Sequence, residues 1–277
     1  MCDGRGEDGV LEDEVMKNIF SLLFVPARQK MLDKISTLDA DVFIIDLEDS
    51  ILPAEKDLAL RVAIDFLNGC APENFYVRVD KNRLLDQLGQ LGNVSVRGFM
   101  VPKVESSDEV TRYAHYLKGR DVIALIETPR GLANVQSIAE CPLVSALAFG
   151  AEDYTAFCGM ENKHEYLLYH KSRIVMYAKA NGKRVYDTPC FNLSDDDVAT
   201  AETRSSAEMG FDGKLAIHPK MIPIIAREFN RCDLAYMKSI VEQYEASGVA
   251  VLKMDGKVFE KMHIGHFKRI LQENNYN

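Results

Sequence analysis

From about residue 20 onward, short apolar runs alternate with longer amphipathic stretches. The runs Phe20–Val25, Val42–Leu47, Phe75–Val79, Gly98–Val101, Val122–Ile126, Ala146–Phe149, Val185–Asp187 and Lys214–Ile217 are short, mostly apolar and rich in β-branched residues. That is the pattern of strands covered on both faces. Between them, apolar positions recur at helical spacing over 27–38, 54–68, 83–90, 106–118, 131–140, 163–181, 195–209 and 219–229. Start signals support several of these helices. Pro53 stands just inside one, Ser106 precedes Glu109 at capping-box spacing, and Ser194 or Asp195 is placed to cap a third. Eight β/α units in succession predict an α/β fold, a (β/α)8 TIM barrel. A doubly wound sheet is the rival, but its GxGxxG turn after the first strand is missing. The expected organisation is an acidic, disordered tail over 1–18, a catalytic barrel over 19–231 and a C-terminal helical extension over 232–277. The extension reads as two helices around the 248–254 run.

The apolar runs share a second property: they end in charge. The second run releases Asp46, Glu48 and Asp49 within four residues. The third ends at Arg78 and Asp80, and the fourth leads to Lys103. The fifth leads to Glu127, the sixth to Glu152 and Asp153, and the last two to Asp187 and His218. Any one of these reads equally well as a surface charge or a helix cap. Repetition at strand after strand points to the C-terminal mouth of a barrel, where active sites of this architecture are built.

Composition narrows the class. The chain has 277 residues, 47% of them hydrophobic, enough for a large core. It has no run of 18 apolar residues and no basic, apolar leader, so neither a membrane span nor a signal peptide is expected. The formal charge is -9, with six acids and only Arg5 in residues 1–14, and no basic stripe suggests nucleic acid. The six cysteines (2, 70, 141, 158, 190 and 232) are scattered without a CxxC pair, which reads as reduced thiols in a cytoplasmic protein. Asp195 to Asp197 read as a helix start, His218 as a hydrogen-bond partner at the mouth, and Cys158 and Cys190 as structural thiols.

The chemistry suggested is metal-assisted. Glu127 and Asp153 are hard oxygen ligands on neighbouring strands, the kind of pair that holds Mg2+ together with waters and substrate oxygens. No clustered His or Cys supports zinc. An arginine among carboxylates, here Arg78, suits a substrate carboxylate or a developing oxyanion. A metal and an arginine aimed at one oxygen would stabilise an enolate, which fits carbon–carbon cleavage beside a carbonyl.

Seven stretches in order then carry a resemblance: SLLFVP at 21–26, DLEDS at 46–50, VRV at 77–79, VPK at 101–103, IETPRG at 126–131, FGAEDY at 149–154, and GFDGK at 210–214 with IHP at 217–219. Together they closely resemble the citrate lyase beta-subunit-like proteins of the HpcH/HpaI aldolase superfamily, relatives of malyl-CoA and citramalyl-CoA lyases. The resemblance implies a homo-oligomeric TIM barrel, a trimer or hexamer. It implies Mg2+ on Glu127 and Asp153, with Glu127 and Lys103 also facing substrate. Arg78 would bind the keto or acyl oxygen, and Glu48 and Asp49 would support substrate and metal waters. The partners implied are an acyl-CoA and a small 2-oxo acid. The stretch 251–260 (VLKMDGKVFE) resembles a segment whose last acid, here Glu260, serves a neighbouring subunit as an acid/base. The chain departs from the family at Phe20, where many relatives have Arg, at Asp80, where many have Asn, and at Glu260, where malyl-CoA lyase-like members have Asp and a following Pro that is missing here. The function expected is Mg2+-dependent retro-aldol cleavage of a 3-hydroxyacyl-CoA. The alternatives are an aldolase or hydrolase acting on a free 2-oxo acid, and an accessory subunit of a lyase complex.

Overall fold

The structure, a computed structural model, describes residues 19–117, 119–230 and 234–273. The acidic segment 1–18, Cys2 and Cys232 lie outside the described residues. The chain divides into two units, Ile19–Asn230 and the C-terminal segment. In the first, eight parallel strands close into a barrel: β1 Ser21–Pro26, β2 Val42–Asp46, β3 Phe75–Arg78, β4 Gly98–Val101, β5 Asp121–Ile126, β6 Ala146–Phe149, β7 Arg184–Asp187 and β8 Gly213–Ala216. Each pairs with the next, and Leu22 against Leu215 joins β1 to β8. All eight expected strands are present, each within two residues of its expected bounds.

Strand alternation sorts the side chains. Leu22, Val42, Ile44, Tyr76, Leu125 and Tyr186 belong to the cluster that fills the barrel. Leu23, Val25, Phe43, Ile45, Val77 and Val185 belong to the layer under the helices. Two residues beyond Ile44, Tyr76 and Leu125 come Asp46, Arg78 and Glu127, so the same parity directs these three into the mouth. It also corrects one expectation. Asp187 follows inward-facing Tyr186 and therefore turns outward, into the layer between barrel and helices.

There Asp187 is fully buried and accepts from Lys171 (2.8 Å), Lys214 (3.1 Å) and the Ser206 hydroxyl (2.5 Å). Burial opposes its charge, but the two ammonium groups and the hydrogen bonds outweigh it and hold its pKa below the ordinary 3.8. Removing one partner of a buried pair strands the others, at a cost of about 3–5 kcal/mol. Asp187→Asn should therefore lower the thermal midpoint strongly at pH 7. Because the folded pKa is depressed, the Asp187 contribution is complete above the unfolded value and fades as pH falls through the folded one. Thermal unfolding should thus show wild type and variant converging in strong acid.

Local signals account for several helix boundaries. The Ser106 hydroxyl accepts from the Glu109 N–H, and the Asp195 carboxylate accepts from Asp197 and Val198, which opens the helix Asp196–Glu208. The stretch 106–118 breaks into Ser107–Arg112 and Ala114–Leu117. One helix, Ala151–Cys158, comes straight off β6 and was not expected. Cys70, Cys141, Cys158 and Cys190 are free thiols. Among the described residues no helix is long and apolar enough to cross a membrane.

The C-terminal unit is not purely helical. Between the helices Leu234–Ser247 and Lys261–Glu273 lies a hairpin of β9 Val251–Met254 and β10 Lys257–Glu260. Its turn places both Asp255 (φ 50°) and Gly256 (φ 74°) in the left-handed region, which suits an Asp-Gly pair. Ile240, Val241, Phe259, Ile264 and Leu271 form the core of this unit.

Candidate active site

Asp46 and Arg78 end adjacent strands, and their side chains meet as a two-pronged pair. Arg78 Nε and Nη2 donate to the two Asp46 oxygens, both at 2.7 Å. The guanidinium lies 4.7 Å from the centre of the Phe24 ring, and its Nη1 reaches Asp49 at 3.1 Å and Glu48 at 3.3 Å. Asp46 also accepts from the N–H groups of Glu48 (2.9 Å) and Ser50 (3.2 Å). Burial would raise the Asp46 pKa, but the charge and hydrogen bonds of Arg78 bring it below the usual carboxylate value. This carboxylate therefore stays ionised, anchors the arginine and shapes the loop that presents Glu48 and Asp49.

Across the mouth, Lys103 occupies a left-handed backbone conformation (φ 49°) that few side-chain-bearing residues adopt. That turn aims its N–H at Glu127 Oε1, 2.9 Å away. Its ammonium reaches Asp153 at 2.7 Å, Glu48 at 3.1 Å and Glu127 at 3.6 Å. Asp153 is carried on the first turn of the helix Ala151–Cys158, whose leading N–H donates to the Thr188 hydroxyl at 3.1 Å. Gly150 has no room for a side chain: a Cβ there would lie 2.5 Å from Glu127 Oε2 and 2.7 Å from its Cβ. Burial pushes the Glu127 pKa up to about 8 despite Lys103, and that of Glu48 up to about 7 despite Arg78 and Lys103. Glu48 Oε2 is buried with no hydrogen-bond partner.

Six of the seven expected site residues thus come together: Glu48, Asp49, Arg78, Lys103, Glu127 and Asp153. The seventh, Glu260, closes β10 in the C-terminal unit, where its N–H donates to His263 Nδ1 at 3.0 Å. Other charges expected at the mouth are engaged elsewhere. Glu152 accepts from Asn162, Asp80 pairs with Lys56, and His218 Nδ1 accepts from the Lys220 N–H. Phe24 beneath the arginine, Thr188, and Gly150 as a spacer were not among the expected site residues. For Phe24 the period-two alternation of β1 would have served. A cleft of about 660 Å³ opens near the other end of the strands, beside Arg97, Arg120 and Asp121. It lies away from this constellation.

Residues 21–219 match the HpcH/HpaI aldolase/citrate lyase family. The chain belongs to that family. It is 30% identical over 240 residues to a human protein named citramalyl-CoA lyase, mitochondrial, covering 76% of this chain and 70% of the relative. It is 26% identical over 257 residues to a (3S)-malyl-CoA thioesterase of Cereibacter sphaeroides, covering 88% and 90%. Among solved structures, CitE of Mycobacterium tuberculosis in complex with magnesium, acetoacetate and coenzyme A superposes with a TM-score of 0.81. That match has 26% identity and covers 94% of this chain and 99% of CitE.

The mouth of this HpcH/HpaI family member suits a hard dication. Glu48, Glu127 and Asp153 all face the Lys103 ammonium, so three hard oxygen donors gather around one positive charge. Among the described residues no group of three or more His, Cys, Asp or Glu side chains is arranged as a metal cage. Two carboxylates that leave the remaining positions to water and substrate are what Mg2+, which dehydrates reluctantly, takes.

Proposed function

We propose that the protein is a Mg2+-dependent carbon–carbon lyase that cleaves a 3-hydroxyacyl-CoA ester of the malyl, citramalyl or citryl type to an acyl-CoA and a 2-oxo acid. The observation that carries this reading is the gathering of the Glu48, Glu127 and Asp153 carboxylates around the Lys103 ammonium beside Arg78. The relatives named for citramalyl-CoA and malyl-CoA, and the CitE complex with magnesium and coenzyme A, support the ligand class.

Glu127 and Asp153 would hold Mg2+, which when bound would supply polarisation of the oxygens of the 2-hydroxy acid end. Glu48 acts as the base. Its Oε2 makes no hydrogen bond and lies 3.3 Å from Arg78 Nη1, and burial holds its pKa near neutrality, where a general base works best. It takes the hydroxyl proton, the carbinol carbon becomes the 2-oxo carbonyl, and the bond to the neighbouring carbon breaks. The electron pair passes into the enolate of the acyl thioester, and a proton returns to its carbon. Arg78, fixed by Asp46 and Phe24, faces the developing oxyanion, Lys103 steers the substrate carboxylate, and Asp49 supports substrate and metal waters. Glu260 of a neighbouring copy supplies the returning proton in a trimer or hexamer.

The test is a panel of malyl-, citramalyl- and citryl-CoA with and without Mg2+, reading both 2-oxo acid and free thiol. Metal-dependent release of 2-oxo acid without thiol is the expected result. Thiol release alone would favour thioester hydrolysis, the second reading, which the thioesterase relative supports. Turnover only of free 2-oxo acids would remove CoA from the assignment, and a protein that binds no Mg2+ would leave an accessory barrel.

A further inference from the structure

Lys56 opens the helix Lys56–Leu67 on the outside of the barrel and is nevertheless buried. Its ammonium donates to the Leu47 carbonyl at 2.8 Å and the Glu48 carbonyl at 2.5 Å, and it pairs with Asp80 at 2.7 Å. Three donors meet three acceptors, so the group is saturated. Asp80 is itself held. Its Oδ1 accepts from the Asn82 N–H at 2.9 Å, and its own N–H donates to Gln87 Oε1 at 2.7 Å. The desolvation of a buried ammonium is offset only when the group is both paired and hydrogen-bonded. Here all three of its bonds converge on one short piece of chain and its neighbour.

That piece is the loop after β2. From the barrel side it is pinned by Asp46, which accepts from the N–H groups of Glu48 and Ser50, and by the Leu47 N–H bonded to the Arg78 carbonyl at 3.0 Å. From behind, the two carbonyls held by Lys56 belong to Leu47 and to Glu48, the residue whose carboxylate faces Arg78 and Lys103. We propose that Lys56 is a positioning residue, a clamp behind the Leu47–Ser50 loop that fixes the direction of the Glu48 carboxylate, with Asp80 as its counter-charge. The clamp rests on the lyase reading for its consequence in turnover, but not for its mechanics. It also gives a role to the carboxylate at position 80, which lies behind the loop as part of the clamp.

Amide hydrogen exchange and steady-state kinetics test this on the full-length protein. Lys56→Met leaves two carbonyls and a buried carboxylate without the ammonium. The double variant Lys56→Gln with Asp80→Asn removes both charges together and so spares the fold an unpaired buried carboxylate. In both, exchange at Leu47–Ile51 should accelerate by about tenfold or more while β1–β8 stay protected, the signature of a local opening. kcat should fall by about 10²-fold with KM little changed, because a displacement of roughly an ångström at a reacting group costs that much. Asp80→Asn alone, which keeps an oxygen for Lys56, should lose less than either. Unchanged exchange at Leu47–Ile51, acceleration spread over the whole barrel, or a rise in KM at constant kcat would each overturn the clamp. If wild type turns over no CoA ester, the lyase reading fails separately and the exchange data still decide the clamp.

Discussion

Glu127→Gln is expected to remove Mg2+ binding and lower kcat/KM by about 10³-fold or more, roughly 4 kcal/mol of transition-state stabilisation, while the fold survives. Gln has the shape of Glu, keeps an oxygen for the Lys103 N–H, and fits the space that Gly150 leaves. What it loses is the charge. Glu127 is almost completely buried, and burial raises its pKa to about 8, so its ionised form is held at a cost. Neutralising it relieves that cost. In chelator, the thermal midpoint of the variant should therefore equal or exceed that of wild type at pH 8 and above. Calorimetric titration with Mg2+, the CoA-ester assay and thermal unfolding check the three parts. A variant that still binds Mg2+ with wild-type affinity would remove Glu127 from the metal site. A large loss of stability would make it a structural acid.

Arg78 should behave in the opposite way, with stability and activity falling together. Arg78→Met strips Asp46 of both its prongs and leaves a buried carboxylate uncompensated, a change that costs about 3–5 kcal/mol when one partner of a buried pair is removed. It also removes the cation beside Glu48 and Asp49, and turnover should fall by about 10²–10³-fold, the usual loss for one oxyanion donor. Arg78→Lys separates the two effects. It retains a charge near Asp46 but loses the fork and the stacking on Phe24, so it should recover much of the stability and little of the turnover. Unfolding midpoints and kcat/KM measured side by side decide. Full activity in the lysine variant would mean that position 78 supplies only charge.

The barrel and most of its mouth were legible in the sequence because both follow from short-range rules. Period-two alternation places Ile44 and Asp46, Tyr76 and Arg78, and Leu125 and Glu127 on one side of their strands. The same rule, carried through Tyr186, would have turned Asp187 outward. Charge at a strand end signals a mouth only when its parity is also inward. The helix Ala151–Cys158 escaped because it is eight residues long and leaves β6 with no side-chain cap. The hairpin at 251–260 did carry a signal, the Asp255-Gly256 pair, but its strands are short and largely exposed. The buried lysines were beyond the reach of any local pattern. Lys171 and Lys214 find Asp187 from 16 and 27 residues away, and Lys56 finds Asp80 across a strand. Only the closed barrel brings such partners together.

The bare position at 150 also bears on how this family can be read from sequence. Any side chain at 127, reactive or not, carries a Cβ, and a Cβ at 150 would come within 2.7 Å of it. Glycine at 150 is thus demanded by the closure of the barrel whatever side chain stands at 127. A descendant that lost its chemistry and kept its scaffold would shed the acids and retain the glycine. In a survey of homologues, the glycine would mark shared ancestry of the frame, and the residues the proposed mechanism needs, Glu48, Arg78, Glu127 and Asp153, would be the ones to separate working enzymes from relics.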